Sequence, residues 1–176
     1  MKMKKEDEKD LYPPHIETYQ KLGEYVYVSD LHQGTERTEN IRLATFLAEK
    51  TNEPVFILPH IQPLEKNSEL RKEYLPNGVK KDKNPDFYFR GRFVDGKNMT
   101  GVKFTDDVDK QKDKIQNRLK DAFKQANDIL LEISTSYEKK VILSAVKGKL
   151  KSSKHFHIVY VKHGNDLFVI KTKKPD

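Results

Sequence analysis

The sequence predicts an α/β fold, with a mixed central β-sheet flanked by at least two helices. Three observations point to it. Short apolar or alternating runs, several bounded by Pro, Gly or Asn, lie at residues 25–29, 55–58 and 86–97 and read as strands. Other segments repeat apolar residues every three or four positions, as one side of a helix does. The chain closes with two strand-like runs around Gly164-Asn165-Asp166. The order is βαβ-like at the front and hairpin-like at the back, without an internal repeat.

The start of the chain mixes Lys with Glu and Asp and has no apolar core of a signal peptide. Residues 1–21 are therefore expected to be a flexible lead-in to a single domain over 22–176. Residues 25–29 read as a strand or extended arm. Thr38, Glu39 and Asn40 open a helix that runs to about Lys50, with Ile41, Leu43, Ala44, Leu47 and Ala48 on its apolar side. Glu39 falls four and eight residues before Leu43 and Leu47, over the edge of that stripe. Glu36 or Asn40 takes this place if the helix starts earlier, and an acid here also favours the helix dipole.

Val55-Phe56-Ile57-Leu58 stands between Pro54 and Pro59 as a short strand. Residues 59–85 are less regular, with a helix around 65–74 and a turn at Pro76-Asn77-Gly78. A hairpin over 86–97 and a polar loop over 98–107 follow. The longest helical pattern covers 108–133, with Ile115, Leu119, Ala122, Phe123, Ala126, Leu130 and Ile133 at spacings of three and four. Residues 140–146, containing Val141, Ile142 and Leu143, read as a buried strand. Residues 155–162 and 167–172 form the closing hairpin.

Composition bounds the function. The 176 residues fit one domain, and 35% hydrophobic against 35% charged is lean, although nine Phe and eight Tyr allow a modest core. The absence of cysteine excludes a disulfide framework or a thiolate metal site and fits a reducing compartment. No apolar run is long enough to span a bilayer. Charge is unevenly placed: ten Lys against two Asp give residues 139–176 a charge of +8 out of the net +7, leaving −1 for residues 1–138. A basic region of this kind suits a polyanion such as nucleic acid, and equally a solvated lysine-rich surface.

The hairpin carries the sharpest signal. With Gly91-Arg92 as a type II′ turn, Phe89 opposes Val94, Tyr88 opposes Asp95, and Asp86 opposes Lys97. Opposed residues share a face, so Phe87, Phe89 and Val94 make one apolar side. Asp86, Tyr88, Arg90, Phe93, Asp95 and Lys97 then make the other. A three-residue turn scatters the charges, and the need to bury Phe87 and Phe89 favours the first register. Two carboxylates on one face suit a hard cation such as Mg²⁺ (or Mn²⁺), with positions left for water and phosphate. Lys97 then orients the attacking water or stabilises the pentacovalent oxygens, and Tyr88 and Arg90 face the substrate. Asp-Gly-Lys is also an ordinary turn tripeptide, so spacing alone leaves both readings open.

The stretch Val26-Tyr27-Val28-Ser29, then Glu39-Asn40 with Leu43-Ala44 and Leu47-Ala48, then Ile57-Leu58-Pro59, resembles the C-terminal nuclease domain of contact-dependent growth inhibition toxins. The likeness continues through Lys83-Asn84-Pro85-Asp86-Phe87, Phe93-Val94-Asp95-Gly96-Lys97, Lys124-Gln125-Ala126 and the closing hairpin, over about residues 22–174. The resemblance implies a PD-(D/E)xK fold like that of restriction endonucleases and a metal-dependent nuclease, with tRNA ahead of DNA as substrate. Pro85-Asp86 then supplies the PD half of the motif and Asp95-Gly96-Lys97 the (D/E)xK half. Glu39 is the helix acid completing the metal set, with Glu36 close enough to compete, and Gln125 approaches the site from a helix. An immunity protein is the implied partner. The implied location is the cytoplasm, directly or by delivery into a target cell. The large stalk of such toxins is not part of the chain, as expected of an excised or free-standing effector domain.

Two other chemistries compete. His155 and His157 alternate on the predicted final hairpin and suit metal-free RNA cleavage by a general base and acid. A zinc site on the same pair lacks a third ligand at a telling spacing. A non-catalytic nucleic-acid-binding domain of a mobile element or phage is the remaining class.

Overall fold

The computed structural model describes residues 11–173 and divides the chain within a strand, into a unit ending at Val94 and a unit beginning at Asp95. Each unit is α/β with its own mixed strand pairing. Residues 1–10 of the expected lead-in lie outside the described residues. Its last residues, Tyr19 to Lys21, belong to a strand.

In the first unit, β1 (Tyr19–Leu22) turns at Gly23, where φ is 71°, into its antiparallel partner β2 (Val26–Ser29). α1 (Arg37–Thr51) then crosses to β3 (Val55–Ile57), which runs parallel to β2. Parallel neighbours need such a crossover, and α1 packs on both strands. Its buried side is Asn40, Leu43, Ala44, Leu47 and Ala48, the stripe expected from the spacing plus one amide and less Ile41, which is only half-buried. α2 (Ser68–Tyr74) sits in the irregular stretch before β4 (Phe87–Phe89), which is antiparallel to β3. Phe56, Leu58 and Tyr88 form a small cluster to which Tyr19, Tyr27 and Phe93 add their rings.

β5 (Arg92–Asn98) pairs antiparallel with β4, but not in the expected register. Phe87 opposes Val94, Tyr88 opposes Phe93 and Phe89 opposes Arg92, so the turn is Arg90-Gly91 rather than Gly91-Arg92. Both turn residues have positive φ, 53° and 72°, which defines a type I′ turn, where glycine is favoured second. The shift is two residues, which keeps every strand side chain on its expected face. Arg90 alone leaves the predicted row. It accepts the left-handed conformation while its guanidinium donates to both carboxylate oxygens of Glu53, at 2.6 and 2.9 Å.

In the second unit, α3 (Val108–Ala122) starts at Asp107, whose Oδ1 accepts from the amides of Asp109 and Lys110. The helix stops at Ala122, not at residue 133. Residues 128–133 form β6 (Asp128–Ile133), buried along its whole length. Residues 140–146 lie in a helix, α4 (Lys139–Lys151), and not in a strand. The physical reason is its period: Val141, Ile142, Ala145, Val146 and Leu150 are buried at helical spacing beyond the apolar triplet. α4 crosses between β6 and its parallel partner β7 (Ile158–His163), which turns through Gly164-Asn165 into antiparallel β8 (Asp166–Lys171). β7 begins after His155 and His157, so neither lies on the strand where the sequence suggested they share a face. Ile115, Leu119, Ile142, Val146, Val159 and Val161 are among the core residues.

Candidate active site

Asp86 enters β4 behind a buried Pro85 and is fixed from two sides. Its backbone carbonyl accepts from the Leu58 amide at 2.9 Å, and its Oδ1 accepts from Nδ2 of Asn40 at 3.2 Å. Upstream, the Arg71 guanidinium donates to Asn84 Oδ1 at 2.8 Å, to the Lys83 carbonyl at 2.6 Å, and to the carbonyl of Ile61. One side chain of α2 thereby ties together both ends of the long loop that delivers Asp86. Sequence reasoning missed Arg71 and His32 altogether.

Asp95 and Lys97 come together in the second unit. They stand two apart on β5 and so project to one side, with Nζ of Lys97 2.7 Å from Oδ2 of Asp95. The Asp95 side chain is 4% exposed and that of Lys97 26%, so the carboxylate is sunk and the lysine beside it is partly exposed. Deeper in the same unit, Glu132 and Lys162 face each other across β6 and β7 at 2.9 Å.

The remaining predicted residues are placed differently. Glu39 is half-buried and its two oxygens accept from Arg42 at 2.7 and 3.1 Å, while Glu36 is exposed at the start of α1. The residue of α1 that donates to Asp86 is Asn40. Tyr88 is packed in the aromatic cluster, its ring 5.4 Å from that of Phe93. Gln125 is half-buried in the turn after α3, not on a helix, and its amide donates to the Ala122 carbonyl. His157 is turned inward: Nδ1 lies 2.6 Å from the Asn127 carbonyl and Nε2 2.7 Å from the Ser153 hydroxyl, with the ring stacked on Phe123. Both of its nitrogens are thus engaged within the fold.

Among the described residues, no three or more His, Asp or Glu side chains are grouped so as to hold a metal ion. That donor chemistry does not suit zinc, which in structural sites takes four protein ligands and in catalytic sites three. Mg²⁺ differs, because it keeps several waters and needs only one or two carboxylates plus substrate phosphates. Within its own unit, Asp95 is a buried carboxylate with a cation beside it, and Asp86 is a carboxylate oriented by an amide; either one alone meets the one-carboxylate end of that requirement.

Residues 83–172 match the family model of the contact-dependent growth inhibition CdiA C-terminal domain. The chain belongs to that family, the C-terminal toxin domains of contact-dependent growth inhibition proteins. The match includes Asp86, Asp95, Lys97 and Gln125, whereas Glu39 and Asn40 precede it. No curated protein and no solved structure matches the chain. A toxin domain of this family is delivered into target cells and implies a cognate immunity protein. No helix among the described residues is long and apolar enough to cross a membrane.

Proposed function

We propose that the chain is a Mg²⁺- or Mn²⁺-dependent nuclease of the PD-(D/E)xK type, cleaving phosphodiesters of RNA, tRNA first, ahead of DNA. The observation that carries this is the Asp95–Lys97 pair: a sunken carboxylate and the ammonium of a partly exposed lysine 2.7 Å apart on one strand of a toxin domain. Support for the reaction class is that toxin domains of this family are often nucleases. Asp86 in the first unit and Asp95 in the second are each a metal-binding carboxylate in this reading, and Glu39, whose oxygens Arg42 takes up, is not counted as a third acid. The metal, when bound, supplies a lowered water pKa and charge neutralisation at the phosphate.

The chain's own groups do the rest. Lys97 donates N–H bonds to a water or to the developing phosphate oxygens, and Asp95 keeps the ammonium aimed there. Gln125 is retained as a substrate contact. Lys72, Lys80 and Lys81 line a cleft of about 650 Å³ beside the Arg71 anchor, with Glu65 and Asp82 also in its lining and apolar walls at Leu64, Leu75 and Val79. The excess of cations over carboxylates suits a backbone phosphate with an unstacked nucleotide beside it.

Incubation of the purified protein with total tRNA and with plasmid DNA, in Mg²⁺ and in EDTA, beside Asp86→Ala, tests the proposal. Fragments from tRNA in Mg²⁺ alone, and none from the variant, are expected. Intact substrate in every lane counts against an enzyme, and binding without cleavage favours a non-catalytic nucleic-acid-binding domain.

A further inference from the structure

We infer that Asn40 and His32 are positioning residues for Asp86, acting through a closed ring of four hydrogen bonds. The ring starts at the Asp86 carbonyl, which accepts from the Leu58 amide at 2.9 Å. The Leu58 carbonyl in turn accepts from Nδ1 of His32 at 2.7 Å. Nε2 of His32 accepts from Nδ2 of Asn40 at 3.3 Å, and the same Nδ2 donates to Oδ1 of Asp86 at 3.2 Å. Backbone and side chain of one carboxylate residue are thus tied to each other through two buried polar side chains.

Each link fixes the next. A carbonyl oxygen only accepts, so His32 carries its proton on Nδ1 and presents a bare Nε2. That lone pair and the Asp86 carboxylate are both acceptors, so the Asn40 amide must turn its nitrogen toward them and give one N–H to each. The reversed amide sets oxygen against a carboxylate oxygen. His32 and Asn40 are each 4% exposed, where water is a poor substitute partner. The His32 backbone is held as well: its amide donates to the Ser29 carbonyl at 3.0 Å, and its carbonyl accepts from Arg37 at 2.7 Å.

Apolar packing alone does not need this arrangement, since Leu at both positions fills similar space without buried polar atoms. What the ring provides is a single orientation for Asp86. Residues that orient a metal ligand in this way change metal affinity by about 10–100-fold when removed. The inference rests on Asp86 as a metal ligand.

The test is Mn²⁺ binding by isothermal titration calorimetry, with the tautomer of His32 read by ¹⁵N NMR. The wild-type chain is expected to show a bare Nε2, and Asn40→Leu to weaken Mn²⁺ binding about tenfold while shifting the Nε2 resonance. Asn40→Ser, smaller and polar, is expected to weaken it similarly and serves if the leucine variant does not fold. His32→Gln, whose side-chain oxygen can still accept from Asn40, should lose less than His32→Leu. Unchanged Mn²⁺ affinity in a folded Asn40 variant, alongside loss in Asp86→Ala, overturns the positioning role and leaves the nuclease reading intact. No Mn²⁺ binding by the wild type overturns both.

Discussion

Nζ of Lys97 lies 2.7 Å from Oδ2 of Asp95, joining a carboxylate that is almost wholly withdrawn from water to a lysine whose side chain is 26% exposed. Removing the cation alone takes the opposite charge away from a buried carboxylate, which costs more than the pair contributes. Because Lys97 is partly exposed, the low end applies, and Lys97→Met is expected to lower stability by about 3 kcal/mol. Asp95→Asn/Lys97→Met should recover most of that loss. Added Mg²⁺ should raise the melting temperature of Lys97→Met more than that of the wild type, since a bound cation replaces the missing charge. Urea denaturation checks the stability changes, and thermal melts with and without Mg²⁺ check the metal effect.

His32 makes stability depend on pH. Burial holds its imidazole below the usual value of 6.5, against an opposing contribution from its bond to Leu58. The unfolded chain therefore binds a proton that the folded chain resists, between 6.5 and the lower folded value. Stability should fall as pH drops through that window and level off below it. His32→Gln removes this component, so the difference between the two denaturation curves isolates it. Parallel curves for wild type and variant across the window contradict the burial of a neutral ring.

The type I′ turn makes Gly91 sensitive, whereas Gly101 is tolerant. Gly91 sits at φ 72°, a conformation that costs an L-residue about 1–2 kcal/mol. Gly91→Ala is expected to lose that much. Gly101, which has open space around the added methyl, should accept alanine with little change. Thermal melts of the two variants, side by side, read the contrast.

The cleft beside Arg71 predicts a salt signature. If Lys72 and Lys81 contact phosphates, Lys72→Glu/Lys81→Glu should weaken tRNA binding, and the log–log salt slope should drop by about 0.7 for each lost contact on single-stranded segments. A slope identical to the wild type removes the cleft from the substrate path.

Local signals made α1, β3 and the central hairpin readable, because each is set by residues close in sequence: a helical stripe, a Pro-bounded apolar run, and a two-residue turn. Val141-Ile142-Leu143 misled because a short aliphatic run fits a strand as well as a buried helix, and only the burial continuing to Leu150 decides. The break between Ala122 and Asp128 was masked by apolar residues that kept helical spacing by chance through a buried strand. The turn residues were displaced by one position each, yet the face assignment survived because the slip was even. Asp95 and Lys97 were legible from alternation along one strand. Asn40 held a faint clue, an amide on the same stripe as Leu43, Ala44 and Leu47. His32 and Arg71 held none, since their roles depend on acceptors 26 and 13 residues away in Leu58 and Asn84.

The most direct measurement is the rate of tRNA cleavage by the wild type and by Asp95→Asn as Mg²⁺ is titrated from an EDTA-stripped start. Saturating Mg²⁺ activation in the wild type and at least a hundredfold slower cutting in a folded Asp95→Asn, roughly the loss of one charge-stabilising group, is the expected result. Cleavage by the wild type that ignores Mg²⁺, or equal rates in the two proteins, contradicts the account.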